Sequence, residues 1–292
     1  VNLLLRVPAT TSNVGPGFDC FGMALSLHLE IEVRPAAALT VTAEGADVPL
    51  DRTNLVVKTC LDALGPAAPE PKLALHLRNR IPLRRGMGSS ATAIVAGLAL
   101  AEAIQFGPDG VDKERIARHA SQLEGHPDNA TPAALGGFCI GAGETFERVE
   151  MNDRAYLLVV PAVEIETEAA RHALPRQLSL TDAVFNLQRA ALAAVRIART
   201  GDLSGAAPFE DRLHQRHRLG LDARLARLFE SLRQCPSVES LFLSGSGSTI
   251  LLLPRNPDQA EGDARRLLQA EGLGQEVLTA QADNRGLVVE PR

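Results

Sequence analysis

Residues 82 to 92 read Pro82-Leu83-Arg84-Arg85-Gly86-Met87-Gly88-Ser89-Ser90-Ala91-Thr92, an order of residue types suited to binding a polyanion. Glycine lets a backbone come close to phosphate. The N–H groups and positive dipole end of a helix that follows then face the negative charge. Ser89 and Ser90 stand where a hydroxyl can cap that helix or reach a metal ion. A tight turn capped by serine has the same composition, so this loop alone leaves the two readings evenly matched. It is not a Walker A loop, because Gly-x-x-x-x-Gly-Lys is absent and the lysines, Lys58, Lys72 and Lys113, all lie elsewhere. Neutralising phosphate therefore falls to backbone amides, arginine and a metal. The absence of Gly-x-Ser-x-Gly, and of a lysine near the serine pair, argues against a hydrolase elbow or a Ser-Ser-Lys amidase.

Other residues carry weaker signals by themselves. Asn13 and Asp19 flank Gly15-Pro16-Gly17, where Asx turns can use both side chains locally. His126 and Asp128 have metal-like spacing, yet a hydrogen-bonded structural pair is commoner. Glu124 reads as an acidic helix end, Asn54 as a turn residue before Leu55-Val56-Val57, and Arg171 and Arg218 as solvated charges among many arginines.

These residues need elements to position them. Leu25, Leu27, Leu29, Ile31 and Val33 alternate with Ser26, His28, Glu30 and Glu32, the period of a strand with one wet face. Leu73 to Leu77 reads as a second strand. Ala91 to Ile104 is apolar almost all round and rich in helix formers, which predicts a helix buried against a sheet with its N-terminus at the glycine loop. A helix over roughly 113–123 leads into the polar elbow Glu124-Gly125-His126-Pro127-Asp128-Asn129. The second half predicts a strand near 155–163, helices near 182–200 and 221–232, and a hairpin-like unit. In that unit Leu241-Phe242-Leu243 and Ile250 to Leu253 flank Ser244-Gly245-Ser246-Gly247-Ser248-Thr249. A helix near 258–269 and a strand near 286–290 complete the chain. The mixed order favours α+β over a doubly wound sheet, with a boundary near residue 150.

At 292 residues the chain has room for two domains, and 45% hydrophobic with 22% charged residues is a globular composition. The net charge of −5 with scattered arginines forms no basic stripe, which disfavours nucleic acid as a partner. Cys20, Cys60, Cys139 and Cys235 form no CxxC pair and read as reduced, mostly buried thiols. The Leu3-Leu4-Leu5 run ends at Arg6 and Pro8, too early for a signal-peptide core, and no apolar stretch has the length of a membrane span. The expected location is cytoplasmic, with no membrane partner.

Four stretches together resemble the motifs of the GHMP family of small-molecule kinases: Pro8 to Asp19, the loop Pro82 to Thr92, Glu124 to Asn129, and Ser244 to Thr249. Within that family the wording is similar to that of homoserine kinases. Asp51-Arg52-Thr53-Asn54-Leu55, Arg171-His172-Ala173-Leu174-Pro175 and Asp211-Arg212-Leu213-His214-Gln215 extend the likeness over most of the chain. The resemblance implies a two-domain α+β GHMP kinase fold, with a ribosomal-protein-S5-like N-terminal domain (1–150) carrying the phosphate loop and a ferredoxin-like C-terminal domain (151–292). It implies ATP and Mg²⁺, L-homoserine as phosphoryl acceptor on the route to threonine, and a homodimer as one possible state.

The resemblance also distributes roles. Pro82, Arg84, Arg85, Gly86, Met87, Gly88, Ser89, Ser90 and Thr92 match the nucleotide-binding loop, and Asn54 the residue that meets adenine. With no Trp and one Tyr in the chain, aliphatic walls rather than an aromatic sandwich should hold the base. Ser90 and Glu124 match the magnesium ligands. Asn13, Asp19, His126, Asp128, Thr167, Arg171, Arg218 and Gly245 match substrate-binding positions, with Asp19 toward the ammonium and the two arginines toward the carboxylate. Asp128 or Asn129 touches the attacking hydroxyl. His214-Gln215-Arg216-His217-Arg218 stands where His-Gln-Pro-Tyr-Arg is usual, which leaves Arg216 and Arg218 both open, and Ser248 stands where proline is common. Two rivals share the cradle: a GHMP kinase for another alcohol such as mevalonate, and a nucleotide-binding module without catalysis.

Overall fold

The alternating stretch is the middle of a long strand in the computed structural model, which describes residues 2–204, 209–274 and 276–292. That strand, β2 (Phe21–Pro35), pairs antiparallel with β1 (Leu3–Ser12), with a register shift between Pro8 and Ala9. Leu25, Leu29, Ile31 and Val33 point into the core. Around this pair a seven-stranded sheet runs β11-β1-β2-β4-β3, where β3 is Thr40–Glu44, β4 Leu73–Asn79 and β11 Val288–Pro291. β5 (Phe138–Ala142) branches from the end of β2 and carries β6 (Thr145–Val149).

One helical layer covers this sheet: α1 (Leu55–Leu64), α2 (Ser89–Phe106), α3 (Lys113–Glu124) and α4 (Pro127–Leu135). α2 sits among β1, α1, α3 and α4, which explains apolar residues all round it. Gly97 lets α1 approach, since a Cβ there would lie 2.6 Å from the Val56 carbonyl oxygen. Against the expectation that no apolar stretch has the length of a membrane span, α2 is, among the described residues, the one helix long and apolar enough to cross a membrane by length and composition; 61% of it is buried inside the fold.

The second half builds an antiparallel four-stranded sheet in the order β10-β7-β9-β8, from β7 (Tyr156–Val160), β8 (Val238–Leu243), β9 (Ile250–Pro254) and β10 (Glu276–Ala280). Its helices are α5 (Thr167–His172), α6 (Leu180–Thr200), α7 (Gln215–Leu219), α8 (Ala223–Arg233) and α9 (Pro257–Ala270). The hairpin expected from 241 to 253 is β8–β9, with Leu243 opposite Ile250. Leu225, Leu228, Leu232, Ala260, Ala264 and Leu268 form the inner face of α8 and α9 against this sheet.

Two local expectations change. Ser89 and Ser90 do not cap α2; the cap is Gly88 in a left-handed conformation, with no side-chain hydrogen bond. Pro8 to Ser12, for which the sequence carried no expectation, belong to β1. The polar elbow is the junction of two helices: α3 stops at Gly125 (φ 81°) and α4 starts at Pro127, whose missing N–H costs nothing at a helix's first position. All four cysteines are free, and burial pushes the Cys60 and Cys139 thiols up to about 12.

Candidate active site

The glycine loop is shaped by what it must approach. Gly86 and Gly88 have φ of 71° and 66°, the region where a Cβ is disfavoured. A Cβ on Gly86 would also lie 2.2 Å from the Ser244 carbonyl oxygen, and one on Gly88 1.9 Å from Thr10 Oγ1. The loop is thus clamped between the first strand and the β8–β9 turn. Thr10 N–H donates to the Met87 carbonyl (3.2 Å), Ser244 Oγ to the Gly86 carbonyl (2.7 Å), and Thr249 N–H to the Arg85 carbonyl (3.2 Å). Thr92 Oγ1 closes the base through the carbonyls of Pro8 (3.0 Å) and Gly88 (2.9 Å). Without a side-chain cap, the first N–H groups of α2 have no acceptor within the helix.

They open onto a cavity of about 530 Å³. Arg84, Gly86, Met87, Gly88, Ser89 and Ser90 line one side; Asn13, Glu124, His126 and Asn129 line the floor; Thr167, Arg171, Arg218 and Gly245 line the far wall. A second cavity of about 310 Å³ shares Arg84, Ser89 and Ser90 with the first. Leu29, Val48, Val56, Leu77, Ile81 and Leu83 give it aliphatic walls, with Asn54 and Thr92 at its edge. Asn54 is already engaged, accepting from Val56 N–H (3.0 Å) as cap of α1 and donating to the Pro49 carbonyl (2.8 Å). Pro82 lines neither cavity, and Arg85 turns to Glu164, with Nη1 3.2 Å from its carboxylate.

At the floor, Ser90 Oγ donates to Glu124 Oε1 (2.9 Å). Burial raises the Glu124 carboxyl above the usual range, against the Ser90 hydrogen bond and the nearby His126. A desolvated carboxylate beside a hydroxyl is a donor set that suits a hard cation with oxygen ligands. Asn129 is held at both ends, its Oδ1 accepting from Thr10 Oγ1 (2.7 Å) and its Nδ2 donating to Ser12 Oγ (3.0 Å). The roles of Thr10 and Ser12 are not readable from spacing, although both lie within the first motif.

Asp128 is completely buried. Its Oδ1 pairs with His126 Nδ1 at 2.6 Å, while Oδ2 has no hydrogen-bond partner among the described residues. That hydrogen bond raises the His126 pKa against the effect of burial. Asp19, His126 and Asp128 each bring a ligating atom within 4.8 Å of the others. Asp19 and Asn13 both have left-handed backbones, φ 51° and 56°, and Asp19 N–H donates to Asn13 Oδ1 (2.9 Å).

The far wall supplies the opposite charge. Arg171 makes a two-pronged pair with Asp19, Nη1 to Oδ2 at 2.9 Å and Nη2 to Oδ1 at 3.0 Å, and the hydrogen bonds raise its pKa. Arg218 is 2% exposed, and burial pushes it down to about 10. Its Nη1 donates to the Gly245 carbonyl (2.8 Å), while Nε is buried without a partner. Both guanidinium groups stand near the Phe18 ring, at 5.8 and 5.2 Å from its centroid. Arg216 points elsewhere, toward Asp182 at 3.8 Å. One end of the cavity therefore presents the free amides of a helix N-terminus, and the other two guanidinium groups, one of them paired with Asp19.

The profile described as "GHMP kinases N terminal domain" matches residues 54–137. A homoserine kinase from Synechococcus sp. is 38% identical over 284 residues, covering 92% of each chain, and one from Thermus thermophilus is 39% identical over 264 residues, covering 88% of each. The fold matches the crystal structure of homoserine kinase from Cytophaga hutchinsonii with a TM-score of 0.83 at 23% identity, over 99% of this chain and 97% of that one. The chain belongs to the GHMP kinases and, within them, to the homoserine kinase family. It is accordingly an enzyme, a kinase that acts on a small molecule with ATP.

Proposed function

We propose that this enzyme transfers the γ-phosphoryl group of ATP to the side-chain hydroxyl of L-homoserine, giving O-phospho-L-homoserine for threonine biosynthesis. The observation that carries the reading is the cavity itself. An uncapped helix N-terminus lies at one end and two arginines, Arg171 and Arg218, at the other; Asp19 and the buried Asp128 do not line the cavity themselves but are paired to its lining residues Arg171 and His126. Phosphoryl transfer needs positioning and charge neutralisation more than covalent help. The amides at the head of α2 bind the triphosphate, and the aliphatic cavity takes the base. Asn13, Thr167 and Gly245 border the amino acid, Asp19 meets its ammonium and Arg171 and Arg218 its carboxylate. Asp128, whose Oδ2 has no partner among the described residues, or Asn129, held by Thr10 and Ser12, touches the attacking hydroxyl.

Ser90 and Glu124 are the residues that would hold Mg²⁺. When bound, the ion neutralises charge on the phosphate oxygens. The domain division proposed is 1–150 and 151–292: the change of sheet falls between β6 and β7, while β11 returns to the first sheet. A cytoplasmic location, no nucleic-acid or membrane partner and a homodimer complete the proposal, supported by the charge pattern and by the family.

ADP release by the purified chain, with ATP and a panel of alcohols, tests it. Release that depends on L-homoserine is expected. Turnover of mevalonate or galactose with homoserine silent would overturn the substrate, and nucleotide binding without any phosphorylated product would overturn the activity.

A further inference from the structure

His214 has no place in the chemistry above, yet it is wholly buried against the substrate end of the cavity. Its Nε2 lies 2.8 Å from the Gly15 carbonyl oxygen, which can only accept, so the ring carries its proton on Nε2. Nδ1 is then an acceptor, and it faces Arg218 Nη1 at 3.4 Å. Burial holds the ring below its ordinary pKa, with Arg218 adding to that and Asp211 opposing it. The imidazole is neutral and touches two elements at once: the bend that carries Asn13, Phe18 and Asp19, and a guanidinium at the cavity wall. Phe18 completes the contact, with ring centroids 5.6 Å apart.

The ring is itself rigidly held. Asp211, buried beneath it, accepts from the backbone N–H groups of Leu213 (2.8 Å), His214 (2.9 Å) and Gln215 (2.6 Å) and from Asn186 Nδ2 (2.9 Å). Gln215 Oε1 ties the same turn to β8 through Leu243 N–H (2.9 Å). Arg218 would otherwise be anchored by one bond, to the Gly245 carbonyl.

We infer that His214 is a positioning residue: its neutral ring sets the aim of Arg218 and locks that arginine to the Asn13–Asp19 bend, so that the carboxylate and ammonium grips keep a fixed separation. The inference rests on the proposed homoserine reading, and its effect belongs to substrate binding rather than to the phosphoryl step.

A double-mutant cycle tests it. His214→Leu should raise the homoserine KM on the order of 10-fold, since a buried donor and acceptor lose their partner, with kcat changed by less than about 3-fold and the ATP KM unmoved. His214→Asn keeps an acceptor near the Nδ1 position and should show a smaller rise. With Arg218→Met in the background, His214→Leu should cost little more in homoserine kcat/KM, because the two act as a unit. Additive losses, equal damage to the ATP and homoserine constants, or no difference between the Asn and Leu variants would overturn the inference. If the unaltered chain fails to turn over homoserine, the functional reading falls and this one with it. Turnover with an additive cycle strikes the inference alone.

Discussion

Glu124 and Arg171 illustrate how differently two charged residues of one cavity contribute. Glu124 is desolvated beside Ser90, and its carboxyl is raised by that burial; in the proposed reading it holds a cation where charge builds up during transfer. Glu124→Ala should lower kcat by about 10²-fold or more, with homoserine KM nearly unchanged and a higher Mg²⁺ requirement, read from steady-state kinetics over a metal titration. Arg171 is two-fifths exposed and paired with Asp19 before any ligand arrives. In the proposed reading an incoming zwitterion exchanges with that pair, matching ammonium to Asp19 and carboxylate to Arg171. Arg171→Ala should therefore raise homoserine KM by about 10²-fold, with kcat reduced much less. The reverse pattern of the two variants would mean that metal and substrate roles are exchanged.

The phosphate loop works as an element because its glycines meet backbone and hydroxyl groups on three sides. Gly88→Ala places a methyl group on Thr10 Oγ1 and forces a left-handed backbone on alanine. The backbone term alone is about 1–2 kcal/mol, and Thr10 also orients Asn129. The variant should melt at a lower temperature and bind nucleotide weakly, as differential scanning fluorimetry with and without Mg-ATP would show. A melting temperature and an ATP response equal to those of the unaltered chain would contradict the clamp. The loop and α2 are legible in sequence, because Gly86 and Gly88 permit a backbone that other residues resist and a helix apolar all round must be buried on every side. β3, β6 and α4 are not: β6 is five residues, mostly exposed, with no clear alternation, and α4 carries Pro132 inside it.

The molecule as a whole joins its two sheets through one shared apolar core, and His214 is one of the buried titratable groups near the cavity at that seam. Burial holds the ring's pKa in the fold below its ordinary value, while the unfolded chain takes up a proton near pH 6.5. A depressed histidine pKa means that the unfolded state binds more protons below that pH, so stability falls as pH drops below about 6.5. Asp211, Arg218 and Asp19 are the charged groups facing the ring. His126, raised by Asp128, works in the opposite direction, but it is present in the variant and the unaltered chain alike. The slope of melting temperature against pH over this range should be smaller in His214→Gln than in the unaltered chain. Equal slopes would show that His214 is not the group responsible.

What the order of residues determined by itself is local chemistry: a glycine-serine loop ahead of a buried helix, an alternating strand, and a set of polar motifs whose wording matched a kinase family. Backbone freedom and hydrophobic period are properties of neighbours in the chain, so they can be read there. Tertiary structure alone decided which of these motifs meet. It brought Thr10 against Asn129, Asp19 against Arg171, and Arg218 rather than Arg216 to the cavity wall. Those pairings span tens to hundreds of residues, and burial, absent from any single stretch of sequence, selects the partner each polar group must find.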